Sequence, residues 1–516
     1  MFKLRKQICL IIVVIFTLFM SLTACGGEKA IDETTTAEKR SSVENTTEVD
    51  STAKPLDPYE VIWYQIGDGP NADDDLIEDQ IASILKDLNT TLELRFVPWG
   101  EYPDKTSLII ASGEPCDIIW QANWTNYYQN VAKGGLADIT DKYETNLPKL
   151  SKVMDPSLIA GAKVNGKIYA VPTNKEVPSA KGFDVDKEYA AQLGVDLSTI
   201  KTFADMESVL KLAKEKLSGI TPCWFKNGYK LGLSSWESII GDDVPGAIML
   251  NDGSYKVINQ LEAPEQMEIW KLTNKWYEEG YINKDPVTVK DENTFNQGKM
   301  FCRPTGLGPV PEWTNAGGRV MSRVYIGNKI TNTGSCIGST IAFSKASKDL
   351  DRAMKFFDEI STNVEAHNIL TYGIEGKHYQ VLETTADSKV IAPPEGKSFN
   401  TTGYFTSGPW VVGGDSFINY LLEADPKNKT EVIKKFNSEA VVSPLLGFSP
   451  DVEPIKTEIA ACQNIFEELG VAINAGSSDP EKYVPQLIER MKSAGSDKII
   501  AELQKQVDEW CAANGK

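Results

Sequence analysis

The sequence contains few of the residues on which metal sites and nucleophilic catalysis most often depend. Only two histidines occur in 516 residues, His367 and His378, which argues against a His-ligated zinc site and a Ser-His-Asp triad. No two cysteines stand at C-x-x-C spacing. Disulfide pairing stays open, but isolated thiols in apolar segments, such as Cys116 and Cys302, are more typical of small buried residues. The sequence therefore predicts no metal site, no cofactor and no catalytic residue.

Basic residues are also in short supply. Lysine and arginine together number 53, against 72 aspartate and glutamate residues, so the net charge is −19 at pH 7. The charge becomes more negative still once the three basic residues at the N-terminus are removed. A surface of this charge repels phosphate backbones, so we expect no nucleic-acid partner.

The apolar run near the N-terminus, Ile8 to Phe19, falls short of the roughly 20 residues that a membrane-spanning helix needs. Lys3, Arg5 and Lys6 precede it, and the sequence LTACG follows it at 22–26. Basic residues, an apolar core and small residues in this order are typical of a secretory signal. A single transmembrane helix is the alternative interpretation, which the short run and the small residues after it disfavour.

A cysteine directly after small residues resembles the lipobox of bacterial lipoproteins. The resemblance implies that residues 1–24 are a lipoprotein signal peptide, and that Cys25 is lipidated, for example with palmitate, and becomes the new N-terminus. We therefore expect the protein on the extracytoplasmic face of the cell membrane, held there by its lipid anchor only. Residues 25–56 comprise this cysteine and a segment rich in Thr, Ser, Glu, Asp and Lys. Such a segment buries too little apolar surface to fold, so we expect a disordered tether.

The roughly 460 residues after the tether are too many for one core and are expected to form two lobes. Their first part alternates between strand and helix patterns. Strands are predicted for 59–66, 92–97 and 116–120, and helices for 76–88 and 102–111. This alternation indicates an α/β fold with a parallel or mixed sheet covered by helices. In such sheets, ligands bind beyond the carboxyl ends of the strands.

Five segments resemble signatures of the family 1 extracellular solute-binding proteins, the maltose-binding class. The segments are SGEPCDII at 112–119, GLADIT at 135–140, NGKIYAVP at 165–172, FNQGKM at 295–300 and YGIEG at 372–376. Each is short, but all five occur in the family's order over about 260 residues. The chain departs from the family at Cys116, where proline is usual, at FCRP in 301–304, and in a C-terminal region longer than usual. The pocket chemistry therefore cannot be copied from a sugar-binding relative.

The resemblance implies a periplasmic-binding-protein-like fold with two α/β lobes, a crossover hinge and a ligand cleft between the lobes. By this analogy lobe 1 comprises 57–172 plus 322–372, and lobe 2 comprises 173–321 plus 373–516. The implied partners are a small-molecule solute and the permease subunits of an ABC importer, and the protein itself is expected to be a monomer. Ligand contact with both lobes would favour a closed form that the permease recognises.

Sugars offer apolar C–H faces and many hydroxyl groups, so their sites combine aromatic rings with carboxylates, amides and backbone groups. Residues of these types near predicted turns and strand ends are the candidates for ligand contact, as is Gly306, which would let the backbone approach a ligand. The candidates are Asp68, Gln121, Asn123, Trp124, Glu176, Trp236, Arg303, Gly306, Trp313, Glu375 and Trp410. For a single tryptophan the alternative is core packing, and Trp270 and Trp276 are assigned to the core. For the carboxylates the alternative is a solvated loop, and for Arg303 a structural ion pair is favoured over a ligand contact.

Three functions remain open on this evidence. A carbohydrate-binding transport component is favoured. The same fold binding a peptide or another polar metabolite is the second hypothesis, against which the scarcity of arginine counts mildly. A glycan-processing enzyme with two carboxylates is the third and is disfavoured, because the motifs belong to a binding fold.

Overall fold

The computed structural model of the protein describes residues 56–386 and 388–516. The predicted signal peptide, Cys25 and all of the predicted tether except Leu56 lie outside these residues. Among the described helices, none is long and apolar enough to cross a membrane.

Seventeen β-strands occur in the described ranges. They are β1 Tyr59–Ile66, β2 Thr90–Val97, β3 Ile118–Gln121, β4 Ala170–Pro172, β5 Ser179–Asp186, β6 Thr221–Cys223, β7 Trp236–Ser238, β8 Ala247–Met249, β9 Val257–Ile258, β10 Met300–Leu307, β11 Glu312–Thr314, β12 Val320–Thr331, β13 Thr340–Phe343, β14 Gln380–Thr384, β15 Lys389–Ala392, β16 Leu421–Leu422 and β17 Val441–Val442.

Nineteen α-helices accompany the strands in the same part of the chain. They are α1 Asp74–Ile84, α2 Tyr102–Ser112, α3 Tyr127–Ala132, α4 Tyr143–Asn146, α5 Leu150–Val153, α6 Pro156–Ala162, α7 Lys187–Leu193, α8 Met206–Lys216, α9 Pro264–Glu278, α10 Asn293–Asn296, α11 Thr333–Cys336, α12 Leu350–Thr362, α13 Val364–Tyr372, α14 Pro409–Val412, α15 Lys429–Ser438, α16 Lys456–Ile465, α17 Val471–Asn474, α18 Pro480–Ser493 and α19 Ser496–Ala513.

The first sheet has the strand order β2-β1-β3-β13-β4. β1 pairs in parallel with β2 and β3, whereas β13 runs antiparallel to β3 and β4. The strands and helices predicted at the start of the chain are confirmed, and β1 has the predicted bounds. Helices cover the sheet, and its core includes fully buried Trp63, Trp120 and Phe343. Because β1, β2 and β3 are parallel, the residues that follow them meet at one edge of the sheet.

The second sheet has the order β11-β12-β5-β10-β6, with β17 paired to β12. It is antiparallel except for the β10–β6 and β12–β17 pairs. Phe183, Phe301 and Trp276 lie in the core beneath it. Trp276 on α9 is fully buried and Trp270 is 1% exposed, so the assignment of both to the core is confirmed.

Two small sheets lie beside the two larger sheets. The order β14-β15-β16 forms one of them, and its core includes Tyr372 at the end of α13. The order β7-β8-β9 forms the other, and it shares a core with α9, α16, α18 and α19. The described cysteines from Cys116 to Cys511 are buried free thiols, which agrees with the interpretation of Cys116 and Cys302 as small buried residues.

The protein therefore has two lobes, lobe 1 around the first sheet and lobe 2 around the second. Their boundaries differ from those that the family analogy implies. Residues 322–331 belong to β12, which pairs with β5, so they lie in lobe 2 rather than lobe 1. Residues 373–422 lie with lobe 1 rather than lobe 2, because Tyr404, Val411 and Val412 are buried in its core. Within the described residues the chain crosses between the lobes near 173–178, 332–339 and 423–428.

Candidate ligand-binding site

Four tryptophans meet at the edge of the first sheet where the parallel strands end. Trp120 lies in β3, Trp99 and Trp124 follow β2 and β3, and Trp410 lies in α14. The rings of Trp99 and Trp124 are stacked, with an interplanar angle of 8° and centroids 6.3 Å apart. The centroid of Trp410 lies 5.6 Å from that of Trp99 and 5.7 Å from that of Trp120. We call these four residues the tryptophan platform.

Hydrogen bonds from the second crossover hold the platform in place. The Ser339 hydroxyl accepts a hydrogen bond of 2.9 Å from Nε1 of Trp120 and donates one of 2.6 Å to the backbone oxygen of Trp410. Nε1 of Trp124 donates to the backbone oxygen of Gly338 at 3.2 Å. The platform is therefore tied to the chain segment that connects the two lobes.

The platform is only partly covered by protein. Trp120 is fully buried, whereas Trp99 is 36% and Trp124 is 52% exposed. Exposed indoles this close together are unusual on a soluble protein and mark an interaction site. Their flat apolar faces suit the C–H faces of a sugar ring.

The loop after β1 reaches the same edge of the sheet. A Cβ atom on Gly67 would lie 3.0 Å from Oγ of Ser407 and 3.5 Å from Phe96, so this loop packs beside the segments that carry Trp99 and Trp410. Asp68 follows Gly67 and is exposed. Of the predicted ligand residues, the structure thus brings Asp68, Trp124 and Trp410 to one edge.

A cavity of about 410 Å³ opens beside the platform, between the lobes. It begins at Asn123, whose side-chain amide donates to the backbone oxygen of Gly334 at 3.4 Å. Asn123 directly precedes Trp124 in the chain, and consecutive Cα atoms are about 3.8 Å apart, so the cavity begins close to the platform. The other lining residues are Tyr128 and Gln129 from lobe 1, Glu237 to Ile240 from lobe 2, Asn332 to Gly334 from the crossover, and Leu445, Phe448, Ser449, Pro450 and Val452 from the C-terminal region.

Glu237 is the acidic residue of this cavity. Desolvation by burial raises the pKa of its carboxyl to about 7, and a hydrogen bond from the Ser443 hydroxyl opposes this shift. Glu237 is not among the residues predicted from the sequence, which include its neighbour Trp236. Trp236 of β7 does not line this cavity: it is 6% exposed and lies beside lobe 2 residues such as Trp270.

Two further predicted residues line neither the exposed face of the platform nor the cavity. Gln121 is fully buried, and its side chain accepts from Asn130 and donates to the backbone oxygen of Trp120, each at 2.9 Å. Glu375 is exposed and its carboxylate lies 2.8 Å from Nζ of Lys389 on β15. Gln121 thus stabilises lobe 1, and Glu375 forms a surface ion pair.

Arg303 and Trp313 make their polar contacts with other residues of lobe 2. The Arg303 guanidinium lies 3.2 Å from the carboxylate of Asp184, 2.9 Å from that of Glu292 and 3.7 Å from the ring centroid of Phe295. Nε1 of Trp313 donates to Asp184 at 2.9 Å. These contacts correspond to the structural ion pair favoured for Arg303, and they occupy the polar atom of Trp313.

The remaining candidates are Gly306 and Glu176. Gly306 is exposed on β10, and a Cβ atom there would meet nothing within 4 Å. Glu176 lies on the first crossover, where its carboxylate is 3.7 Å from Nζ of Lys175. Trp99, in contrast, is not among the ligand residues predicted from the sequence. The rule that directed attention to the residues after β1 and β3 applies equally to the residues after β2, and would have found it.

Comparison with known proteins identifies the family. Residues 80–371 match the family model described as bacterial extracellular solute-binding protein. A carbohydrate ABC transporter substrate-binding protein of Streptococcus pneumoniae is 32% identical over 470 residues, which cover 89% of this chain and 92% of the relative. The chain belongs to the bacterial extracellular solute-binding proteins. Residues 444–512 also match a domain of unknown function, DUF3502.

Solved structures agree with this family. The crystal structure of the N-glycan transport solute-binding protein NgtS from Streptococcus pneumoniae is 31% identical and superposes with a TM-score of 0.79 over 89% of this chain and 100% of that one. Its complexes with Man1GlcNAc and Man5GlcNAc superpose with TM-scores of 0.67 and 0.64, over 87% and 89% of this chain and 99% of each complex. The lipoprotein LipO of Bacillus subtilis is 22% identical over 80% of this chain and 86% of LipO.

Proposed function

We propose that this solute-binding protein captures an oligosaccharide between its lobes and delivers it to the permease of an ABC importer. The observation that carries the proposal is the tryptophan platform, which presents exposed indoles of Trp99 and Trp124 where ligands of α/β sheets bind. The names of the pneumococcal relatives, a carbohydrate transporter subunit and an N-glycan transport protein, support a carbohydrate. These relatives are transport proteins, which supports binding without catalysis.

A peptide ligand has less support. A peptide site is expected to bind charged termini, and the one arginine among the predicted ligand residues, Arg303, pairs with Asp184 and Glu292 inside lobe 2. The platform and the cavity offer aromatic, amide, hydroxyl and carboxylate groups instead. These groups match the hydroxyls and C–H faces of sugars.

We further propose that the mature protein begins at a lipidated Cys25 and lies on the extracytoplasmic face of the membrane. The signal-like sequence before Cys25 supports this anchor, as does the similarity to the lipoprotein LipO. Replacing Cys25 by Ala is expected to release the protein into the culture medium. Retention of this variant in the membrane fraction would contradict the anchor.

Calorimetric titration tests the choice of ligand. We expect a saturable heat of binding, with one site per chain, for mannose–N-acetylglucosamine oligosaccharides such as Man5GlcNAc. The platform offers flat apolar faces to the sugar rings, and the cavity offers polar groups to the sugar hydroxyls. Short peptides of similar size are the comparison. Heat with peptides and none with any oligosaccharide would contradict the proposal.

Lobe closure is the second part of the proposed mechanism. Each ligand complex of NgtS superposes less well on this chain than the structure whose name includes no ligand, which supports a change of lobe arrangement. A ligand that contacts both lobes favours the closed form. Small-angle scattering with saturating oligosaccharide is therefore expected to give a smaller radius of gyration. An unchanged radius under saturation, established by calorimetry, would exclude closure.

A further inference from the structure

The cavity beside the platform has polar groups from both lobes on its walls. Asn123, Tyr128 and Gln129 approach from lobe 1, and Glu237 and Ser238 approach from lobe 2. A cavity of about 410 Å³ lies within the range of small-molecule sites, which is about 300–1,000 Å³. Its mixture of amides, hydroxyls and one carboxylate is suited to a ligand with many hydroxyl groups.

The carboxylate of Glu237 has an oxygen available to such a ligand. Oε2 accepts a hydrogen bond from the Ser443 hydroxyl, and Oε1 receives none from any residue that the structure describes. An ionised carboxylate can accept several hydrogen bonds, so this arrangement leaves it incompletely satisfied. Desolvation also raises the pKa of this carboxyl, and titratable groups shifted in this way are typical of functional sites.

The C-terminal region supplies the apolar side of the cavity, through Leu445, Phe448, Pro450 and Val452. Its start is attached to the second crossover through Thr333. The Thr333 hydroxyl accepts from the backbone N–H of Gly447 at 2.9 Å and donates to the backbone oxygen of Leu445 at 3.3 Å. This segment, 445–452, is the first part of the region that matches the domain of unknown function.

We propose that the cavity is a second sugar subsite, in which Glu237 accepts hydrogen bonds from one sugar unit while a neighbouring unit of the same glycan stacks on the tryptophan platform. The inference rests on the proposed function and makes its substrate class more specific: a glycan of at least two units. It also gives segment 445–452, and with it the C-terminal domain, a part in ligand recognition.

The variant Glu237→Gln tests this subsite with Man5GlcNAc as the probe. Glutamine keeps the shape and one acceptor oxygen but removes the charge, and charge-assisted hydrogen bonds are about twice as strong as neutral ones. We expect the dissociation constant at pH 8 to rise about 10-fold. Glu278→Gln, an exposed carboxylate on α9 of the same lobe, is the matched control and should bind like the wild type.

The pH dependence of binding provides a second readout. Sugar hydroxyls that donate to Glu237 favour its ionised form, so wild-type affinity is expected to increase between pH 5.5 and 8, around the pKa of about 7. Of the described residues that line the cavity, only Tyr128 also titrates, and the nearby Cys336 thiol interacts electrostatically with Glu237. Burial raises the pKa of both groups above their usual values, so neither ionises in this range. The affinity of Glu237→Gln should not vary across it.

Thermal stability provides the third readout, because Glu237→Gln is expected to raise stability while it lowers affinity. The folded state holds a proton on Glu237 between pH 4.5 and about 7 that the unfolded chain releases, so stability decreases as pH rises through this window. Glu237→Gln avoids this loss and should melt at a higher temperature than the wild type at pH 8. If the role of Glu237 were only structural, its replacement would instead lower both stability and affinity.

The outcomes separate the subsite from the proposed function. If the wild type binds no oligosaccharide, the proposed function fails and the subsite fails with it. If the wild type binds Man5GlcNAc and Glu237→Gln binds equally well at pH 8, the subsite alone is refuted. Weaker binding together with a lower melting temperature would also refute it, because the carboxylate would then act on the fold.

Discussion

Replacing Trp124 by alanine is expected to weaken oligosaccharide binding by about 10- to 100-fold, because a buried aromatic contact at an interface contributes about 1.5–3 kcal/mol. Trp124 is 52% exposed before ligand binds, and its ring stacks on that of Trp99. A sugar ring that covers it would gain most of its apolar contact there. Titration calorimetry with Man5GlcNAc measures the change.

The variant should stay folded, with a free energy of unfolding lower by only about 1–2 kcal/mol. Trp124 is 52% exposed, so the change removes one hydrogen bond to Gly338 and part of a ring contact with Trp99 rather than a core side chain. The loss of binding therefore cannot be ascribed to misfolding. Leu382→Ala is the matched control, because Leu382 is 51% exposed on the small sheet β14-β15-β16. If the Trp124 variant bound the oligosaccharide with the affinity of the wild type, the platform would not be part of the binding site.

Replacing Gly182 by alanine is expected to destabilise the protein by more than about 4 kcal/mol, enough to unfold many domains. Gly182 lies in β5, in the middle of the second sheet, with a φ of +150°. A Cβ atom there would lie 1.9 Å from the backbone oxygen of Val324 on β12. Backbone atoms of a paired strand cannot move aside cheaply, so the sheet itself would have to separate.

Gly306 provides the matched comparison on the neighbouring strand. Gly306 lies on β10 and pairs with Lys181 of β5, and a Cβ atom on Gly306 would meet nothing within 4 Å. Gly306→Ala should therefore stay within about 0.5–1 kcal/mol of the wild type and can be slightly more stable, since alanine restricts the unfolded chain. Denaturant unfolding of both variants measures the difference. Similar stability for the two would contradict the close approach at Gly182.

Local patterns sufficed for the elements of lobe 1. The alternation of strand and helix from Tyr59 to Trp120 depends on neighbours close in sequence, so the sequence predicted those elements. The lobe boundaries depend on distant pairings. β12 continues as one strand of lobe 2 as far as Thr331, and the chain then returns to lobe 1 until about 422. Neither feature has a local signature.

The candidate site was also predictable only where it depends on local sequence. Trp124 and Trp410 were selected because they follow a strand or a turn, and they lie together on the platform. Gln121 met the same criterion, yet its side chain is turned into lobe 1, which sequence position alone does not determine. Glu237 acquires its environment from the crossover at 332–334 and from Ser443, about 100 and 200 residues away, so its sequence neighbourhood carries no sign of a buried carboxylate.

The central claim is that a glycan lies on the tryptophan platform, and hydroxyl-radical footprinting of the wild-type protein tests it without any mutation. With saturating Man5GlcNAc, oxidation of Trp99 and Trp124 is expected to decrease strongly, because both indoles are accessible in the free protein and covered in the complex. Oxidation of Leu382, which is 51% exposed elsewhere in lobe 1, should not change. Binding of the glycan, verified by calorimetry, without protection of either tryptophan would contradict the claim.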